Sequence, residues 1–224
     1  MNLQIEGILF QILEIDKDKL LFQAQSETIK DYKVVQIGEY IQLSLSHLVE
    51  NVVASESEIL VYFHAKQKQT LVEHLSNLPK LEISQSDHSF DVEVCFDLGL
   101  DWETVERISG MNKDSIVQII LNNSFSLINY GFQPGFMYLN GLPEELHLER
   151  RSTPRQKVPK GSLAIGGKYI GIYGSESPGG WHVIGRTSHF PDEYGNFEKL
   201  ASINQNVQFI SLDKESYLRK YGNE

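Results

Sequence analysis

Apolar residues alternate with polar ones in several short runs and recur at helical spacing in others, and the order of the two patterns divides the chain. ILFQILEI (8–15) and LLFQAQ (20–25) flank the polar stretch Asp16 to Lys19, which predicts a hairpin whose strands are apolar partly on both faces. Ile29, Tyr32, Val35, Gln36, Tyr40, Ile41 and Leu45 then follow a helical spacing. Gly38 weakens that helix by about 1 kcal/mol relative to Ala. NVVAS (51–55) and ILVYFH (59–64) read as strands, and a second helix near Lys66 to Leu78 ends at Pro79. The polar ISQSDHS (83–89) closes this unit. A small α+β domain over 1–84 and a second domain over 85–224 are expected.

In the second domain FDVEVCF (90–96) alternates as a strand. Asp101 is placed to cap a short helix carrying Val105 and Ile108 that stops at Gly110, and Asn112 to cap the next, which presents Ile116, Ile119 and Ile120. SLINYGF (126–132) returns to strand. Residues 131–187 hold 11 of the 17 Gly and 5 of the 7 Pro, a density that means short strands and tight loops. Continued to VQFISL (207–212), the pattern predicts a barrel or closed sheet. The fold class is therefore α+β.

Charge narrows the partners. With Lys+Arg 20 against Asp+Glu 30 the 224 residues carry −10, which argues against a nucleic-acid partner. Residues 131–187 are nevertheless net +3, leaving −13 for the remainder. A single cysteine, Cys95, excludes an internal disulfide framework and a thiolate zinc cage, which points to a reducing, cytoplasmic setting. The N-terminal MNLQIEGILFQILEID has no early base and is interrupted by Glu6 and Glu14, so it reads as a strand and not as a signal peptide. No run approaches the roughly 18 apolar residues of a spanning helix, so no membrane partner is expected.

Several motifs reduce to ordinary structure. The helices around Gly110 have helix-turn-helix spacing, but the second offers only Lys113 as a base, which suits a helical hairpin packed on a barrel better than DNA. GSLAIGGKYI almost fits a phosphate loop; Gly167 moves Lys168 one place too far, Tyr169 stands where Ser or Thr is needed, and strands flank it on both sides. A β-turn is the simpler reading, with Lys168 still able to face a ligand. Ser177, His182 and Glu176 lack a nucleophile elbow. His182, His189 and Asp192 lack metal-ligand spacing, so no metal site is expected.

The basic segment RRSTPRQKVPK (150–160) has five bases and no acid. It is either a solvated loop stiffened by Pro154 and Pro159, or a set of planar guanidinium donors suited to carboxylate or phosphate. GFQPGFMYLNG (131–141) and ESPGGWHVIGRT (176–187) add glycines that let backbone N–H groups approach an anion. ESPGGW is expected to be a hairpin turn with Trp181 in the core, where Phe132, Phe136 and Tyr138 also belong by residue type.

These residues resemble the family of 5-oxoprolinase B-type subunits, also called allophanate hydrolase subunit 1 and including a sporulation-kinase inhibitor. The likeness rests on DVEVCFDLGLDWETV and, in order, on GFxPGF, TPR, VPxGS, GIY and SPGGWxxIGRT, within 90–187. It implies a cyclophilin-like, carboxyltransferase-type β-barrel behind the smaller domain. It also implies pairing with a homologous 5-oxoprolinase C-type subunit and, with the A-type subunit, ATP-dependent hydrolysis of 5-oxoproline to glutamate, Mg accompanying the ATP. Phosphorylation of the lactam oxygen would ease attack on the ring carbonyl, and arginines would meet the phosphate charge.

The resemblance places catalytic roles on Arg155 and Arg186. It places substrate or nucleotide contacts on Gly135, Phe136, Tyr138, Lys168, Pro178, Gly179, Gly180 and Trp181. The family pattern has Pro at Met137, a Gln-Thr pair at Tyr169 and Ile170, and commonly His at Asn122; these departures bear on the substrate more than on the fold. Two other readings stay open: a regulatory protein that grips a histidine kinase, and a carboxyl-transfer subunit for a urea-like substrate that depends on biotin. Arg155 is expected to be exposed, so that its loss leaves stability within about 0.5 kcal/mol, whereas losing a core Trp181 costs roughly 3 kcal/mol or more.

Overall fold

The computed structural model describes residues 1–25, 31–77, 89–188, 203 and 205–222, with the side chains of 31 and 32 left aside. The chain divides into two compact units, Met1–Ser84 and Gln85–Glu224. Ile29, the end of the second predicted helix at Leu78 and Pro79, the boundary segment 83–88, and His189 and Asp192 lie outside the described residues.

In the first unit the strands are β1 (Asn2–Ile5), β2 (Ile8–Asp16), β3 (Lys19–Ala24), β4 (Val49–Ala54) and β5 (Glu58–Phe63), with helices α1 (Asp31–Ser44) and α2 (Lys68–Ser76). The strands form one antiparallel sheet ordered β1-β2-β3-β5-β4. Alternation puts Phe10, Ile12, Leu20, Phe22, Ile59 and Val61 on one face, where Ile37 and Ile41 of α1 and Leu71 and Leu75 of α2 cover them. Gly38 is explained by this packing: a Cβ there would come within 2.6 Å of the Ala54 Cβ, so only glycine lets α1 approach β4 so closely.

The second unit comprises β6 (Phe90–Cys95), α3 (Trp102–Ser109), α4 (Lys113–Asn122), β7 (Phe125–Tyr130), β8 (Met137–Asn140), β9 (Arg155–Val158), β10 (Ser162–Gly166), β11 (Tyr169–Ile172), β12 (Ser177–Gly179), β13 (His182–Thr187), β14 (Asn206–Ser211) and α5 (Lys214–Tyr221). Seven strands close into the expected barrel in the order β10-β11-β8-β7-β14-β6-β13, and β13 pairs back to β10. Leu127, Met137, Leu139, Leu163, Ile165, Ile170, Ile172, Val92, Val94 and Phe209 share its core with Val105 of α3 and Ile116 and Ile120 of α4. The helical pair is thus part of the barrel's packing. Gly110 ends α3 at φ 72°, and the Asn112 side chain caps α4 by accepting from the Ser115 N–H at 2.8 Å.

Two elements differ from the sequence expectation. Ser177–Gly179 is a strand and not a turn; it pairs with β9, so four residues of the basic segment, Arg155–Val158, form a two-stranded ribbon with it. Asp101 precedes α3 but its side chain does not cap the helix.

Candidate functional site

The site is a second layer built on the outward face of the barrel. Cross-strand pairing aligns Ala164, Gly171 and Tyr138 on β10, β11 and β8, opposite in facing to the core residues beside them. Small side chains at 164, 166 and 171 leave room for rings. A methyl group at Gly166 would fall inside the Trp181 indole, and one at Gly171 would lie 2.9 Å from that ring and 3.0 Å from the Phe136 ring. Phe136 is the hub, edge-on to Trp181 at 5.3 Å and Tyr173 at 4.9 Å and tilted against Tyr138 at 4.8 Å between centroids. Gly179 passes directly over the Tyr173 hydroxyl, where no side chain would fit, which ties the β9–β12 ribbon to the cluster.

The loop that delivers Phe136 is set by its sequence. Phe136 N–H donates to the Gln133 carbonyl at 3.1 Å across Pro134 and Gly135, and Gly135 has φ 76°. Proline second and a positive-φ glycine third make a type II turn. Gly174 lies against the Gly135 backbone, 2.5 Å from it once a Cβ is added, so the following loop packs here as well.

The polar half centres on Asp101. Its carboxylate is buried, and it accepts from Arg151 Nη1 at 2.6 Å, Arg155 Nη1 at 2.8 Å and the Val183 N–H at 2.7 Å. The backbone around it is stitched to the same strand: the N–H groups of Leu100 and Asp101 both donate to the Val183 carbonyl at 2.9 Å. The Arg151 N–H donates to the Gly180 carbonyl at 2.7 Å, and Arg150 sits over the Trp181 ring at 5.8 Å. Ribbon, arginine loop and barrel thus meet at one carboxylate. The expectation of an exposed Arg155 is corrected accordingly: its guanidinium is ion-paired and only 23% exposed.

Of the residues singled out from sequence, Gly135, Phe136, Tyr138, Gly179 and Trp181 come together in the ring cluster, with Gly180 and Arg155 at its edge through Arg151 and Gly179. Pro178 is exposed on β12. Lys168 lies on the exposed β10–β11 turn, where Gly167 has φ 64° and the Lys168 ammonium lies 4.9 Å over the Tyr169 ring. Arg186 stands further along β13, donating Nε–H to the Lys160 carbonyl at 3.1 Å, away from the Asp101 carboxylate that holds Arg155. Phe136, Tyr173 and Trp181 are closed against one another at 5% exposure or less, so they form a packed pillar and not the walls of an open pocket.

Phe132, a core residue by type, is 63% exposed. Met137 and Ile170 face the barrel core, Tyr169 is buried, and Asn122 is exposed at the last position of α4. Ser177 and His182 are engaged separately: His182 Nε2 bonds the Glu149 carbonyl at 2.9 Å and the Ser177 hydroxyl the Pro178 carbonyl at 3.1 Å. Burial pushes the Tyr173 phenol up to about 12, countered by a hydrogen bond from the Trp181 main chain. Among the described residues no three His, Cys, Asp or Glu side chains converge as metal ligands. None of their helices is long and apolar enough to cross a membrane.

Residues 10–193 match the family described as carboxyltransferase domain, subdomain C and D. The chain belongs to that family. Within it, the chain is 46% identical over 89 residues to a Haemophilus influenzae protein named as the B-type subunit of 5-oxoprolinase, a match covering 40% of this chain and 42% of the relative. A Bacillus subtilis protein of the same name is 31% identical over 132 residues, 57% of this chain and 54% of the relative. The matched segments thus span only about half the length of these relatives or less. The crystal structure of TTHA0988 has the same carboxyltransferase-like fold, with a TM-score of 0.77 at 20% identity over 87% of this chain and 40% of that one.

Proposed function

We propose that this chain is one component of an ATP-dependent 5-oxoprolinase, hydrolysing 5-oxoproline to L-glutamate in the cytoplasm together with the homologous C-type subunit and the A-type subunit. The observation that carries the reading is the 46% identity to a protein named as the B-type subunit of that enzyme. Opening an unstrained lactam is uphill, which is why ATP cleavage belongs to the reaction.

The residues here divide the work in a definite way. Asp101 already neutralises part of the charge of Arg151 and Arg155, so these arginines chiefly fix the ribbon on the barrel. Arg150, exposed beside Trp181, and Lys168 are cations that face outward. The GGK turn is a strand-to-strand hairpin with no helix N-terminus behind it, so it does not fit a phosphate cradle. On this reading activity belongs to the assembled complex. ADP release on mixing the chain with the C-type and A-type subunits should depend on 5-oxoproline and be missing from the chain by itself; no such release from the full mixture refutes the reading.

The family description favours one alternative, carboxyl transfer, for which a urea-like acceptor is the reading considered. It requires turnover that depends on biotin, and indifference to biotin removes it.

A further inference from the structure

We propose that His47 and His74 form a surface site for a first-row divalent metal ion of the Zn²⁺ or Ni²⁺ kind, which ties α2 to the turn that follows α1. The inference concerns the first unit alone and stands apart from the 5-oxoprolinase reading.

The two histidines lie 27 residues apart in the chain, so no ligand motif marks them, and folding brings them together. Their ring centroids are 6.1 Å apart with the planes at 78°, on the wall of a cleft of about 410 Å³ that Tyr40, Ser44, Glu73 and Asn77 also line. Each ring comes from a fixed backbone. On α2, Leu71 and Leu75 are buried under the helix that carries His74. His47 stands between the buried Leu45 and Leu48, in a turn closed by the Leu48 and Val49 N–H groups, which donate to the Leu45 carbonyl at 2.8 and 2.9 Å.

The hydrogen bonding of each ring suits ligation. A carbonyl can only accept, so the 2.8 Å contact between His74 Nδ1 and the Thr70 carbonyl makes Nδ1 the donor and leaves the lone pair of the neutral ring on Nε2. Metal-binding histidines are held in this way, one nitrogen donating to a main-chain carbonyl or carboxylate while the other ligates. His47 makes no hydrogen bond among the described residues, so either of its nitrogens is open to an ion.

Distance and donor type select the ion. Two imidazoles bound at about 2.1 Å to one tetrahedral ion have their centroids about 5 Å apart. The observed 6.1 Å exceeds this by about 1 Å, a gap that rotation of two exposed side chains closes. Imidazole donors favour Zn²⁺, Ni²⁺ or Cu²⁺ over Mg²⁺ and Ca²⁺, which take oxygen. Glu73 adds negative charge to the cleft: one carboxylate oxygen accepts from Gln69 Nε2 at 2.9 Å, and the other has no partner among the described residues. Among those residues no third histidine, cysteine or carboxylate already stands in ligating position, so water completes the coordination and the site is an exchangeable staple. Cys95, the single cysteine, is buried in the second unit and does not compete for the ion.

The test titrates the full, metal-free chain with Zn²⁺ and, in parallel, Ni²⁺ by calorimetry. His64→Ala is the control, because that exposed ring is already paired, Nδ1 to Glu50 Oε1 at 2.7 Å. One ion per chain is expected, with affinity lowered at least tenfold by His47→Ala and by His74→Ala and unchanged by His64→Ala. Saturating Zn²⁺ should raise the melting temperature of the wild-type chain by roughly 3 °C or more and leave that of either variant in place. Both side chains are exposed, so without metal the variants should melt within about 2 °C of wild type, and a lost shift then reports a lost site and not a lost fold. Zn²⁺ affinity unchanged in both His47→Ala and His74→Ala overturns the proposal. So does a wild-type chain that takes up neither ion saturably, or one that binds Mg²⁺ as tightly as Zn²⁺.

Discussion

Asp101→Asn removes one negative charge, keeps the side chain's size and turns one accepting oxygen into an amide N–H₂ that opposes a guanidinium. Breaking a buried ion pair from one side costs about 3–5 kcal/mol. The arginines are 27% and 23% exposed and regain some water, which brings the expectation to the lower end, about 3 kcal/mol. For a chain of this size that lowers Tm by roughly 6–12 °C. Both tryptophans, Trp102 and Trp181, lie in the second unit, so their fluorescence follows its unfolding without signal from the first. Arg155→Ala is expected to cost about 2 kcal/mol in the same assay, because it leaves the carboxylate half-compensated, and the double variant should lose less than the sum of the two. A fall of less than roughly 2 °C for Asp101→Asn refutes the reasoning, as does strict additivity.

Trp181→Ala should cost at least about 3 kcal/mol, since the indole is 5% exposed and fills the space that Gly166 and Gly171 leave open; urea denaturation followed through Trp102 checks it. Gly171→Ala should destabilise through a clash with the Met137 carbonyl at 2.8 Å as well as with two rings, whereas Lys168→Ala on the exposed turn should stay within about 0.5 kcal/mol, both read by thermal melting. Tyr173 is held neutral by burial, with a folded-state pKa of about 12 against 10.0 for the free phenol. Its contribution to stability is fully present below pH 10 and is lost as pH climbs from 10 to about 12, because the unfolded chain releases the proton first. The stability difference between wild type and Tyr173→Phe should shrink over that window and stay constant below it.

Periodicity and turn chemistry carried most of the architecture. Alternation in 8–25 and 90–96, the Gly110 and Asn112 pair, and the glycine density of 131–187 all have local causes, and each led to the element found. The failures have a common cause as well. Asp101 sits where a helix cap belongs, and nothing near it in sequence reveals that Arg151 and Arg155, 50 and 54 residues on, would claim its oxygens. ESPGG has turn composition but pairs with β9 across the fold, where extended backbone and not side chain is what the contact needs. Tyr173 gave no sign of its role, since a tyrosine beside a strand is ordinary until Gly179 is seen to cross its hydroxyl.

The same contrast separates scaffold from working surface within the site. Gly166, Gly171, Gly174 and Gly179 each face a ring or a backbone that leaves no room for a Cβ, so their places in GGK, GIYG and SPGG follow from packing. Asp101 likewise converts two arginines of the basic segment into a clamp. What the packing does not explain is the outward set: Phe132 at positive φ, Arg150 over Trp181, Lys168 on its turn, and Pro178 on the ribbon's exposed side. Residues that a fold does not need for itself are where its interactions with other molecules are to be sought. On this chain they are aromatic, proline and cationic, while the rest of the sequence is acidic, so substitutions at Phe132 and Arg150 should leave the melting of the barrel within a few degrees of wild type.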